Sequence, residues 1–178
     1  MRDGDGWVTC SAGHRHWGLF GAAGLLLAAP DPAGVVRVLL QHRAAWSHHG
    51  DTWGIPGGAR GSVESGEQAA LREAVEETGL NPLEVTLGQA SEESHGGWSY
   101  TTVLATAAVL LPVHAEDHES TAVAWVALAE VDELPLHPGF AGAWPALRPR
   151  ITSLAAGTAA SDVAPVPRLP EVTAPKIG

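Results

Sequence analysis

The stretch SGEQAALREAVEETGL, from Ser65 to Leu80, constrains the fold of this chain more than any other segment. Ser65 and Gln68 have the spacing of a capping box, and Gly79 stands where a glycine stops a helix, so a helix is predicted from Gly66 to Thr78. Ala69, Ala70, Ala74 and Val75 form a small apolar surface on one side of it. On the other, Glu73, Glu76 and Glu77 fall within an arc of roughly 100°, because residues three and four apart share a helix face. A like-charged i,i+4 pair costs a helix about 0.2–0.5 kcal/mol, and negative charge near the C-terminal end is also unfavourable. Either water solvates an acidic face that Arg72 partly neutralises, or a cation gathers there. Converging hard oxygen donors suit Mg²⁺ or Mn²⁺, which bind through a few carboxylates together with substrate phosphates.

Around that helix the pattern is one of strands. The apolar run HWGLFGAAGLLLAAP reads as a buried strand ending at Pro30, and the turn residues PDPAG join it to VVRVLLQHR as a hairpin. WGIPGG is short and extended, since the residue before Pro56 is pushed toward β. LEVTLGQASEES and WSYTTVLATAAVLLP read as two strands across an HGG turn, STAVAWVALAEV as another, and FAGAWPALRPRI as a final helix interrupted by Pro145. The expected fold class is α/β, a mixed β-sheet with helices packed on it. Residues 1–16 are polar and glycine-rich and are expected to be a flexible N-terminal segment, 17–151 the folded domain, and 152–178 a disordered tail rich in Ala, Pro, Ser and Thr.

Composition narrows the partners. A formal net charge of -10 argues against a nucleic-acid polymer, which is held by clustered Lys and Arg, but leaves room for a small anionic ligand bridged by divalent cations. Cys10 is the single cysteine, so neither a disulfide framework nor a cysteine-based zinc site is expected. MRDGDGWVTC lacks a basic leader and AAGLLLAA is too short to span a bilayer, so no membrane partner and a cytoplasmic setting are expected, with the chain a monomer or homodimer. The abundance of Ala, Gly and Arg over Lys resembles the usage of a GC-rich bacterial genome.

The spacing of Gly58, Glu64, Arg72, Glu73, Glu76, Glu77, Gly79 and Leu80 resembles the Nudix box, G-x5-E-x7-R-E-U-x-E-E-x-G-U, where U is a bulky aliphatic residue. Ala74 at the first U position is the one departure, and the likeness extends over about residues 17–150 in the manner of MutT-type relatives. The resemblance implies the Nudix α/β/α sandwich and hydrolysis of a nucleoside diphosphate linked to a further group. It implies that Glu73, Glu76, Glu77 and the Gly57 carbonyl hold Mg²⁺ or Mn²⁺ and that Arg72 orients the glutamates. Glu64, Gly58 and Gly79 would support the loop and helix. Glu119, six residues before Trp125 on the late strand, is a candidate for approaching the metals, with Glu116 and Asp117 as rivals. Glu73, Glu77 and Glu119 all remain candidates for the general base.

Elsewhere, Arg43 at the end of a strand and Trp53 are candidates for binding phosphate and base. His48 and His49 lie in the loop before Trp53, and Trp98 and Tyr100 are further stacking candidates. The motifs of coenzyme A, NADH and ADP-ribose pyrophosphatases are incomplete or missing, which leaves a nucleoside di- or triphosphate-type small molecule as the expected substrate. The competing reading is a noncatalytic nucleotide-sensing module on the same fold, against which the intact glutamate set argues. A weaker alternative makes the Pro-rich tail a partner-binding segment.

Overall fold

The structure is a computed structural model that describes residues 2–116 and 120–161. Among the described residues the elements are β1 (Trp7–Thr9), β2 (Arg15–Trp17), β3 (Ala22–Pro30), β4 (Val36–Arg43), β5 (Trp53–Gly54), β6 (Gly57–Ala59), α1 (Gly66–Thr78), β7 (Thr86–Ser94), β8 (Ser99–Thr106), β9 (Ser120–Ala127) and α2 (Pro138–Ser161). Single 3₁₀ turns occupy Pro82–Glu84 and Val131–Glu133. All strands from β3 onward join one mixed sheet, and β1 and β2 form a separate two-stranded one.

Strand β3 organises both cores through its period of two. Its odd positions, Ala23, Leu25, Leu27 and Ala29, pack with Ala69, Ala70 and Ala74 of α1. Leu26 and Ala28 point the other way and pack with Trp144, Leu147 and Ile151 of α2. The sheet is therefore covered on both faces, an α/β/α sandwich, and the continuous apolar run in β3 is what burial on both sides demands.

The edges of β3 position the functional end of the molecule. One edge pairs in parallel with β8 along Ala22–Ala28. The other is divided: β4 pairs antiparallel only with Ala28, Ala29 and Pro30, while β6 takes Ala22, Ala23 and Gly24. The far half of β4 turns instead to β5 and, on its other edge, to β9. The sheet thus opens between β3 and β4, and β6 carries Gly57 and Gly58 into the opening. Small residues are required there, since a Cβ on Gly57 would stand 2.5 Å from the Ala23 carbonyl oxygen.

Helix α1 begins and ends as its sequence dictates. The Ser65 hydroxyl accepts from the Gln68 amide at 3.2 Å, and the Gln68 side chain accepts from the Ser65 amide at 2.9 Å. Gly79 closes the helix at φ +66°, its amide donating to the Val75 carbonyl at 2.9 Å.

Three expectations change. The N-terminal segment is ordered as a hairpin: Trp7 and Trp17 meet edge to face at 5.4 Å, the Gly18 and Leu19 amides donate to Gly6 and Gly4, and Ser11 donates to Gly96. These are contacts between distant residues, which a segment without apolar periodicity does not announce. Helix α2 runs uninterrupted through Pro145 and Pro149 to Ser161, ten residues beyond the expected domain end at 151. Each interior proline costs a helix about 3 kcal/mol, and burial of Phe140, Trp144, Leu147, Ile151 and Ala155 along one stripe offsets that cost. The remaining part of the expected tail, 162–178, lies outside the described residues.

The left-handed cap gives a direct test. Gly79→Ala places a side chain at positive φ and only 2.7 Å from His114 Cε1, so it should destabilise the fold by about 1–2 kcal/mol or more, read as a lower urea midpoint with unchanged slope.

Candidate active site

The site is assembled around Arg72 on the outer face of α1. Its Nε and Nη2 donate to the two oxygens of Glu64 at 2.6 and 2.8 Å, a bidentate pair. Nη1 donates to Glu73 at 2.5 Å and to Glu76 at 3.3 Å, and Nη2 also reaches the Ala59 carbonyl at 3.0 Å. One guanidinium therefore ties α1 to the β6 strand and to the loop that follows it. Glu64 in turn accepts from the Gly61 amide at 2.8 Å, which closes that loop on itself. The Arg72 hydrogen bonds, outweighing partial burial, hold the Glu64 carboxyl down to about 2. Glu73 moves the other way: burial raises its carboxyl above the ordinary range, and Arg72 only partly opposes this.

The other carboxylates are placed by the backbone of β6. Glu77 is buried at 7 % exposure, although charged residues seldom are, and its carboxylate accepts from the Gly57 amide at 2.8 Å. Glu73 lies against Gly58, where a Cβ would come within 2.7 Å of the carboxylate carbon. One turn of helix and two glycines thus set Glu77 against Gly57 and Glu73 against Gly58, with Glu76 linked to Glu73 through Arg72. The donor set is entirely oxygen and carries excess negative charge, which fits a hard divalent cation. Positive charge already stands against it: besides Arg72, the guanidinium of Arg2 bonds Glu76 and lies 3.9 Å from Glu73. Arg2 escaped the sequence reading because nothing local links residue 2 to a helix more than seventy residues away.

Gly57 and Gly58, against which Glu77 and Glu73 lie, also line a cleft of about 750 Å³. Its lining includes Gly57 and Gly58, Trp7 and Trp17 of the hairpin, Trp98 and Tyr100 of the β7–β8 hairpin, and Arg43, Trp46, His48, His49 and His137, with Trp7 edge-on to His48 at 5.6 Å. Arg43 is where the sequence placed it, its Nε donating to the His48 carbonyl at 3.2 Å. Trp53 is a correction. Its ring meets His42 and the core beneath α2 and does not line the cleft, because period two turns its neighbour Gly54 toward the opening. Burial raises the Tyr100 phenol, with the charge of Glu77 adding to the effect, so it stays a neutral donor. Burial likewise lowers His137 to about 4, helped by the charges of Arg43, His49 and His48. His137, Trp7, Trp17 and Trp46 were missed as cleft residues, and only the tertiary arrangement gathers them. Glu119 and its rival Asp117 lie outside the described residues. Glu116 donates its backbone amide to the Glu77 carbonyl at 3.1 Å, and its side chain pairs with His114.

A sandwich whose sheet opens beside helix-borne carboxylates and a cleft is suited to metal-assisted chemistry on a phosphate-bearing small molecule. The comparisons agree. The NUDIX domain model matches residues 20–147. The chain is 54 % identical over 152 residues to a Mycobacterium tuberculosis protein named "Putative 8-oxo-dGTP diphosphatase 3", covering 82 % of this chain and 70 % of that one. It is 43 % identical over 159 residues to a nucleoside triphosphate pyrophosphatase/Nudix hydrolase fusion protein of Bifidobacterium longum, covering 85 % of this chain and 32 % of that protein. The crystal structure of the Nudix hydrolase RenU from M. smegmatis superposes with a TM-score of 0.76 at 46 % identity, over 93 % of this chain and 100 % of that one. The chain belongs to the Nudix family and is a nucleotide pyrophosphatase, of a kind that generally uses divalent metal. No helix among the described residues is long and apolar enough to cross a membrane.

Two titrations follow from the site. Glu64 has a folded value of about 2 against 4.5, so its contribution to stability is full above pH 4.5 and is lost as pH falls through about 2. Glu64→Gln should therefore be less stable than wild type at neutral pH, with the gap closing in that acid window. His137, at about 4 against 6.5, favours the fold above pH 6.5 and withdraws that support as pH falls through about 4. His137→Asn should flatten stability against pH in that second, higher window. Urea midpoints measured across the pH range separate the two.

Proposed function

We propose that the protein hydrolyses a purine nucleoside triphosphate, with 8-oxo-dGTP the first substrate to test, and that Mg²⁺ or Mn²⁺ is the metal. The observation that carries this reading is that Gly57 and Gly58, which hold Glu77 and Glu73 against them, line a cleft whose lining also includes Trp7, Trp17, Trp46, Trp98 and Arg43. A purine is held well between indole faces, and a triphosphate needs fixed positive charge beside hydrogen-bond donors. The name of the mycobacterial relative supports 8-oxo-dGTP over other purines.

Glu73, Glu76, Glu77 and the Gly57 carbonyl would hold the metal, which supplies charge neutralisation of the phosphates and an acidified water. The rest of the work belongs to the chain. Arg72 keeps Glu73 and Glu76 in place by donating to both, and Glu64 holds Arg72 in its plane. Glu73 is our choice of proton acceptor, since it lies beside Gly58 at the edge of the cleft, whereas Glu77 is pinned by the Gly57 amide in the posture of a ligand. Glu119 keeps its candidacy as a further carboxylate that approaches the substrate. Arg43 is anchored through Nε to the loop carbonyl of His48, which suits its terminal nitrogens to a phosphate. His137, neutral at physiological pH, serves as a hydrogen-bonding group rather than a charge.

The test is turnover of 8-oxo-dGTP, dGTP and other nucleoside triphosphates in ¹⁸O-water with Mg²⁺ or Mn²⁺, with products resolved by mass. Expected are a nucleoside monophosphate and pyrophosphate, a single label on phosphorus, loss of activity on chelation, and a kcat for Glu73→Gln lowered by about 10²-fold or more with the fold intact. Label on the sugar carbon, or a Glu73→Gln variant that turns over like wild type, would overturn the assignment.

A further inference from the structure

We propose that the N-terminal hairpin carries a second metal site, of a different chemistry from the carboxylate cluster: a zinc site made by Cys10, His14 and His16. Each of the first three offers one ligand atom within 4.8 Å of those of the other two. A single cysteine cannot make a site with other cysteines, but it can with imidazoles that a tight turn brings back to it.

That turn is built for the purpose. The Cys10 amide donates to the His14 carbonyl and the Gly13 amide to the Cys10 carbonyl, each at 2.9 Å, with Gly13 at φ +84°. Cys10 is therefore folded back beside His14, and β2 carries His16 on from there. Cys10 is buried at 5 % exposure, while His14 is exposed and leaves a route of entry. His16 adds an independent sign. Its ring stacks on Trp98 at 4.2 Å and 13°, and its Nε2 is sealed from solvent without a hydrogen-bond partner among the described residues. A buried imidazole nitrogen ordinarily has a partner, and a metal ion supplies one.

The turn between β7 and β8 packs against this site. The Ser11 amide donates to the Gly96 carbonyl at 2.9 Å, which fastens that turn to the hairpin, and the ring of His95 lies 4.9 Å from that of His16. A thiolate and two imidazoles, with a fourth position left to solvent on the exposed His14 side, suit Zn²⁺ and suit Mg²⁺ poorly. On binding, the Cys10 thiol releases its proton to solvent. Trp7 and Trp17 ride on this hairpin, so the zinc would hold one wall of the cleft. The cluster of His48, His49 and His137 is a poorer candidate: it has no thiol, and Nδ1 of His137 already accepts from the Gly139 amide.

The experiment is a titration of tag-free, metal-stripped full-length protein with Co²⁺, a spectroscopic stand-in for Zn²⁺. Expected are a near-ultraviolet thiolate-to-cobalt charge-transfer band and intense tetrahedral visible bands, both bleached by added Zn²⁺. Cys10→Ser should abolish the charge-transfer band, and His14→Ala, an exposed position that leaves the core untouched, should weaken binding. Glu76→Gln should leave the spectrum unchanged. Zn²⁺ should raise the Tm of wild type and not that of His14→Ala. Absence of the thiolate band at saturating Co²⁺, its survival in Cys10→Ser, or a weak spectrum that disappears with Glu76→Gln would overturn the proposal. None of these readouts involves turnover, so the catalytic assignment stands or falls separately.

Discussion

The pairing of Arg72 with Glu64 is the interaction on which the functional end of the molecule rests. Without it, the last turns of α1 would present Glu73 and Glu76 with the more exposed Arg2 as their counter-charge, and the loop from Gly61 to Ser65 would have little to close on. The guanidinium resolves both at once because its donors are fixed in a plane: one edge grips Glu64, and the remaining nitrogens reach Glu73, Glu76 and the Ala59 carbonyl. A lysine, a single point of charge, could not hold four groups in fixed directions. The repulsion that makes this helix unfavourable in isolation is also what gives it affinity for a cation. Arg72 restrains that repulsion without removing it.

The second constraint is the divided edge of β3. A strand that paired with β4 along its whole length would seal the sheet, and no cleft would reach the carboxylates. Because β6 takes the first residues of β3 and β4 only the last, two short glycine-bearing segments lie where the sheet opens. Glycine is needed there for space: side chains at Gly57 and Gly58 would strike the Ala23 carbonyl and the Glu73 carboxylate. The aromatic wall then comes from pieces remote in sequence, the hairpin of β1 and β2 and the turn between β7 and β8. They are joined by Ser11 to Gly96, by Trp98 Nε1 to the Gly18 carbonyl at 2.9 Å, and by His16 stacked on Trp98.

Much of this was legible in the order of residues, because the forces concerned are local. The capping box at Ser65 and the stop at Gly79 depend on neighbours within four positions, and the period of two in Leu25, Leu26 and Leu27 announces a strand buried on both faces. Spacing also determined that Glu73, Glu76 and Glu77 share one helical face, since 3.6 residues per turn leaves no alternative. The fold class and the shared face of the glutamates follow from such short-range geometry, and the family was read from the resemblance of the motif around them.

What tertiary structure alone decided is everything that depends on distance in space without proximity in sequence. Trp53 rather than Trp46 looked like a stacking residue, and only the pairing of β5 with β4 turns the former to the core. The prolines of α2 argued for a break, and the stripe from Phe140 to Ala155 against the sheet overrode them, because burial of large side chains outweighs the loss of two hydrogen bonds. Arg2 meets Glu76, and Cys10 meets His14 and His16, through turns whose hydrogen bonds no periodicity encodes. By itself the sequence determined a helix, a buried strand and a set of charges on one face. Folding decided what surrounds those charges, because hydrophobic packing is non-directional and chooses partners only when the whole chain is present.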